Sequence, residues 1–298
     1  DNKLIPEEAG YIGEKFNHFL PNALGIQPLI EYLVLNPEAL QIAMVVFTIV
    51  EAIVGLFLIM GLFTRLMSIG VFFLAMGILL GSGWIGTTCL DEWQIGVLGV
   101  STGFVLFLTG SGNYSIDQYL RKKKIPFTDK KWFQFLGSGE LPIRNLAPKV
   151  LFASIFLFGL TLFTNQYFHG GVFGTLHNKS VKPKVEISNI QIMENQISLE
   201  LYRVEGADVY GSFLIGIEIR DENQNLLKSL GQKELSEYPI EKIKNHYVAK
   251  IKPGKHSLIL PLGAKADFLI DLNDLNTDEI HSIKLIDISG LEWIAEIN

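Results

Sequence analysis

The chain has 298 residues, a formal net charge of −6 and a mean hydropathy of +0.29, higher than a soluble protein of this size normally shows. Mild acidity argues against nucleic-acid binding, and a single cysteine excludes an intrachain disulfide and any multi-cysteine zinc or iron–sulfur site. The apolar excess lies before residue 170, whereas the remainder alternates apolar and charged residues, so two domains in two solvents are expected.

Residues 1–38 are amphipathic, with Tyr11, Phe16, Phe19, Leu20 and Leu24 apolar, Glu14, Lys15 and His18 polar, and Pro21, Pro28 and Pro37 as interruptions. The pattern predicts short helices lying at an outer membrane interface. Four runs follow, near 39–63, 66–83, 94–110 and 147–168, that approach the roughly 20 helical residues a hydrocarbon core demands. Glu51 sits near the middle of the first. Between the second and third runs, the stretch from Gly83 to Gln94 carries the only cysteine, Cys89, followed closely by Asp91, Glu92 and Trp93. Arg121, Lys122, Lys123 and Lys124, with Lys130 and Lys131 soon after, form the densest basic cluster of the membrane half, which the positive-inside bias assigns to the cytoplasm. Arg65, in the tight link between the first two runs, falls on that side and is read as topology or cytoplasmic packing. By parity, the Cys89 loop, residues 1–38 and everything after 168 face outward.

After Gly170-Gly171 the chain turns to short β-rich runs: 184–192, 197–204, 212–220, 247–251, 257–260, 268–272 and 280–288. About seven strands at this spacing argue for an antiparallel sandwich of immunoglobulin-like type. This half lacks a Gly-rich phosphate loop and any His pair at metal spacing, and His246, His256 and His281 are read as surface residues. The fold expected is therefore an α + β membrane protein: a four-helix-bundle-like half (1–168), then an extracytoplasmic β-sandwich (169–298) that reads as a binding or docking module.

Three segments carry a resemblance: Gly10-Tyr11-Ile12-Gly13-Glu14-Lys15-Phe16-Asn17-His18-Phe19-Leu20-Pro21, Gly61-Leu62-Phe63-Thr64-Arg65-Leu66, and Gly86-Thr87-Thr88-Cys89-Leu90-Asp91-Glu92-Trp93-Gln94-Ile95-Gly96. They resemble the DoxD membrane subunit of thiosulfate:quinone oxidoreductase; the Gly61–Leu66 link alone is shared with the broad DoxX-like membrane family. From Val181 on, with Val209-Tyr210-Gly211-Ser212-Phe213 and Leu260-Pro261-Leu262-Gly263-Ala264-Lys265-Ala266, the chain is similar to the DoxA partner subunit. The resemblance implies oxidation of two thiosulfates to tetrathionate on the outer face of the cell membrane, with electrons passed to a membrane quinone. It also implies one further membrane helix ahead of residue 1, and no metal, haem or flavin.

In that light Cys89 is either a thiolate that captures sulfane sulfur or a small packed residue. Asp91 and Glu92 orient a cation or accept protons, or else cap the next helix, since two carboxylates repel a dianionic substrate. Lys15 and His18, three apart and so on one helical face, are the cationic candidates for thiosulfate; the alternative is a snorkelling lysine and a histidine facing water. Glu51 handles protons beside a quinone head group or makes a helix–helix hydrogen bond. Trp84 and Trp93 stack on the quinone ring or anchor an aromatic belt. Two other functions stay open: an accessory subunit of a respiratory quinol oxidase complex, docked to other subunits or to itself, and a sulfur-oxyanion binding or transport protein.

Overall fold

The computed structural model describes residues 4–5, 11–84, 91–173, 182–193, 195–206, 212–272 and 275–297, with backbone only for Asp91. Among these, contacts divide the chain into two compact units: residues up to Gln41 together with those from 182 on, and residues 42–84 together with 91–173.

The second unit holds the membrane helices. Helices α1 (Gly13–Phe19) and α2 (Gln27–Leu35) precede α3 (Pro37–Met60), α4 (Thr64–Ser82), α5 (Asp91–Thr109), the short α6 (Ile116–Lys122) and α7 (Lys131–Leu136), and α8 (Leu146–Thr164), which runs on into a π-turn, Asn165–His169. Four of these are long and apolar enough to cross a membrane, as the four predicted runs require. The α4–α5 contact is an antiparallel seam built on small residues. Gly96, Gly99 and Gly103 share one face of α5; a Cβ at Gly99 would stand 2.5 Å from Ala75 Cβ, and one at Gly103 would stand 2.9 Å from the Ser68 carbonyl oxygen. Apolar burial gives little drive between helices in lipid, so such close backbone approach supplies the packing.

The Gly61–Leu66 link acquires a structural reason. Gly61 has φ +63, and a Cβ there would lie 2.3 Å from Ser115 Cβ. Phe63 is also left-handed, at φ 47, which turns the amides of Phe63 and Thr64 onto the carboxylate of buried Asp117, at 2.9 and 3.1 Å. Asp117 therefore caps α4, where negative charge is favoured, and it also accepts from Ser138 Oγ at 2.9 Å. Arg65, 1 % exposed, spreads its guanidinium over the carbonyls of Phe107, Gln134 and Gly139. Of the two readings for Arg65, the packing one describes these contacts.

The first unit is the sandwich, with two antiparallel sheets. One has the order β1 (Lys184–Met193), β2 (Gln196–Glu205), β8 (Lys265–Asp271), β5 (Ile243–Asn245). The other runs β10 (Glu292–Glu296), β9 (Ser282–Asp287), β3 (Ser212–Arg220), β7 (Leu258–Leu260), β6 (Lys252–Pro253), with β4 (Leu226–Leu230) also on β3. A short helix α9 (Gln232–Ser236) follows β4. Alternation places Ile197, Leu199 and Leu201 of β2 against Leu214, Ile217 and Ile219 of β3, with Phe268, Ile270, Ile283 and Leu285 closing the core.

The predicted strand at 247–251 does not form. Its apolar residues alternate correctly, but Asn17 Oδ1 accepts from Ala249 N (3.1 Å), and Asn245 bonds Ile251 through both N (2.7 Å) and O (3.0 Å). Side-chain amides meet backbone groups that a ladder would otherwise take. The real edge strands, β5 and β6, flank it.

The amino-terminal segment belongs to this unit. Leu20, Ala23, Ile30 and Val34 pack with Tyr247, joined by Tyr202 and Val248. Asn17 Nδ2 donates to Gly263 O at 2.9 Å, and Tyr247 Oη donates to Glu31 Oε1 at 3.2 Å. Gly263, at φ +74, leaves no room for a side chain, since a Cβ would fall 1.8 Å from Asn17 O. The short helices expected here form, with one apolar face of α1–α2 packed on the sandwich and Leu29, Tyr32 and Leu35 exposed on another.

Candidate functional site

In the membrane unit, two tryptophans and a histidine meet at the corner where α4 ends, α5 begins and α8 finishes. Trp93, on the first turn of α5, is 7 % exposed, and its ring lies 5.8 Å from that of His169, edge-on. Trp84, just past α4, lies 4.3 Å from Phe168, and Phe168 packs on Tyr167 at 4.9 Å. His169 Nε2 is 2.9 Å from Gly83 O. A carbonyl oxygen only accepts, so this bond assigns the proton to Nε2 and leaves the lone pair on Nδ1.

The π-turn is what delivers His169. Widening the last turn of α8 carries the ring to α4 and α5, and Gly170, at φ +63, ends the helix behind it. Gln166 Oε1 accepts from Val172 N (3.1 Å) and Phe173 N (2.6 Å), holding the chain as it leaves.

The indole nitrogens of Trp84 and Trp93 are both shielded from solvent and have no acceptor among the described residues. A buried donor left unsatisfied costs about 1–3 kcal/mol, and such a group calls for an explanation. Two donors and one lone-pair nitrogen in one apolar corner match a ligand with carbonyl oxygens that become hydroxyls.

The other predicted residues are placed as follows. Cys89 lies outside the described residues, as does the side chain of Asp91. Glu92 is half-buried in the first turn of α5, and Glu51 is exposed on α3. Lys15 and His18 share α1, but Lys15 is exposed while His18 is buried. His169 escaped the sequence reading; its position at the end of the last apolar run, directly before two glycines, was the available signal.

In the sandwich unit, a cavity of about 500 Å³ opens between α1–α2 and the 245–252 segment, walled by Tyr11, Glu14, His246, Tyr247, Lys250 and Lys252 among others. Burial, and then Glu14, push the Tyr11 hydroxyl above its usual range. Tyr247 is pushed up to about 12 by burial, with Glu31 adding to it.

Fold and site together define a membrane-embedded helical protein joined to an antiparallel β-sandwich, with an aromatic corner at the helix ends. Residues 1–144 match the family described as TQO small subunit DoxD, and residues 168–296 match TQO small subunit DoxA. The chain is thus a DoxD/DoxA fusion, with a role related to thiosulfate:quinone oxidoreductase. No solved structure matches it.

Proposed function

We propose that this protein oxidises thiosulfate to tetrathionate on the outer face of the cell membrane and delivers the electrons to a membrane quinone. The presence of both DoxD and DoxA regions in one chain carries this reading. In the sulfur half, the Cys89 thiolate joins the sulfane sulfur of one thiosulfate as two electrons leave, giving a cysteine S-thiosulfonate. A second thiosulfate attacks that adduct, releasing tetrathionate and regenerating the thiolate. In the quinone half, the same two electrons and two protons convert quinone to quinol.

The corner formed by Trp84, Trp93 and His169 supports the quinone half. Indole N–H groups suit the carbonyl oxygens of the oxidised head group, and Nδ1 of His169 suits a hydroxyl of the quinol. Trp93 and Glu92 follow Cys89 closely in sequence, which favours short transfer between the two halves. Asp91 and Glu92 accept protons or orient a cation there, Glu51 carries protons within the membrane, and Lys15 and His18 draw in the dianion. The outer-face assignment rests on the basic residues of 121–131.

The test is purified protein in detergent with thiosulfate and a short-chain quinone, scored for quinol and tetrathionate. Equal formation of both products is expected, and Cys89→Ala should abolish both. Thiosulfate binding without turnover would favour a carrier, and activity only after adding other respiratory subunits would favour an accessory role.

A further inference from the structure

We propose that Glu200, His246 and Asp267 form a binding site for one divalent cation of the zinc class on the outward face of the β1-β2-β8-β5 sheet. Strand register creates the site. Glu200 on β2 stands directly opposite Asp267 on β8, and both project away from the core, where Leu199, Leu201, Ala266 and Phe268 point inward. Two carboxylates facing each other across a ladder repel, and a cation between them removes that cost.

His246 completes the set from beyond β5, positioned by its amide, which donates to Lys265 O at 2.9 Å. One ligand atom from each of the three residues lies within 4.8 Å of the others. The imidazole supplies the decisive observation. Its Nε2 is 3.0 Å from Asp267 Oδ1, yet it is shielded from solvent and makes no hydrogen bond among the described residues, the oxygen lying off the direction in which the nitrogen would donate. That nitrogen therefore lacks the hydrogen bond a shielded ring nitrogen normally makes, and it faces two carboxylates. One imidazole and two carboxylates, with water in a fourth position, suit zinc at ligand distances of about 2.0–2.2 Å, so a modest contraction of the cluster closes the site.

The surroundings fit a metal that must compete for its ligands. Ser188 Oγ donates to Glu200 Oε1 at 2.9 Å, orienting that carboxylate from behind. The Lys265 ammonium reaches the same oxygen at 3.0 Å and lies over the Tyr202 ring, while exposed Lys244 stands 3.9 Å from Asp267. Lys265 thus holds the place of a cation, and a metal ion displaces it. Residues 200, 246 and 267 are too far apart for any sequence spacing rule, and the His246 ring is half-buried.

The proposal is independent of the redox reading and is tested without it. Tag-free chain in detergent, stripped with a chelator, is titrated with Co²⁺ as the spectroscopic counterpart of zinc and then back-titrated with Zn²⁺. A single equivalent of Co²⁺ is expected, displaced by Zn²⁺, with affinity about tenfold or more weaker in His246→Gln and Asp267→Asn. Lys265→Met, which frees Glu200, should bind more tightly, and Cys89→Ser should bind as the parent does. Full affinity in His246→Gln, weaker binding in Lys265→Met, or loss of binding in Cys89→Ser overturns the site. Folding of each variant is followed by its melting temperature in chelator.

Discussion

Tyr247 shows how one residue couples the amino-terminal segment to the sandwich. Its hydroxyl bonds Glu31 of α2, and burial raises its pKa to about 12 from the ordinary tyrosine value of 10.0. Between those values the folded state keeps a proton that the unfolded state has lost, so stability falls as pH rises through that window. Spectroscopic titration of tyrosine should show this group ionising late, and Glu31→Gln should bring its ionisation to lower pH. Two other residues belong to the membrane corner. Trp84→Phe and Trp93→Phe each remove an indole N–H with no acceptor among the described residues, so neither should lower the melting temperature through a lost hydrogen bond. If these groups meet quinone, the KM for quinone should rise while thiosulfate binding is unchanged; replacement of both without effect on quinone kinetics removes them from the site.

At the scale of elements, the glycine seam of α5 is the sharpest expectation. Gly103 approaches the backbone of α4 so closely that a methyl group must push two helices apart, and overpacking of this kind costs about 1–3 kcal/mol. Gly103→Ala should therefore lower the melting temperature, whereas Gly77→Ala, where a Cβ meets nothing within 4 Å, should leave it unchanged or raise it. The elements also mark how far the sequence could be read. The four apolar runs and the strands at 184–192, 197–204 and 212–220 match observed elements closely, because each is long and strongly periodic. The strands β4, β5, β6 and β10, of two to five residues, are too short to show a period, and 247–251 alternates as a strand does without forming one. There the outcome turned on Asn17 and Asn245, one of them more than two hundred residues away.

For the whole molecule, the grouping of residues up to Gln41 with the sandwich has a testable consequence. Asn17 bridges Gly263 O and Ala249 N, both buried, so Asn17→Leu leaves two backbone groups unsatisfied at about 1–3 kcal/mol each. Limited proteolysis should then cut within residues 20–36 faster than in the parent protein, while the sandwich core, closed by its own strands, resists.

Sequence alone determined the membrane spans, the sandwich class and the resemblance to DoxD and DoxA, since apolar length, alternation and short motifs are written in neighbouring residues. Tertiary structure alone decided that His169 meets Trp93 and Gly83, that α1–α2 covers Tyr247, and that Glu200, His246 and Asp267 converge. Such meetings depend on helix ends, strand register and loop closure summed over tens to hundreds of residues, and no local pattern encodes that sum.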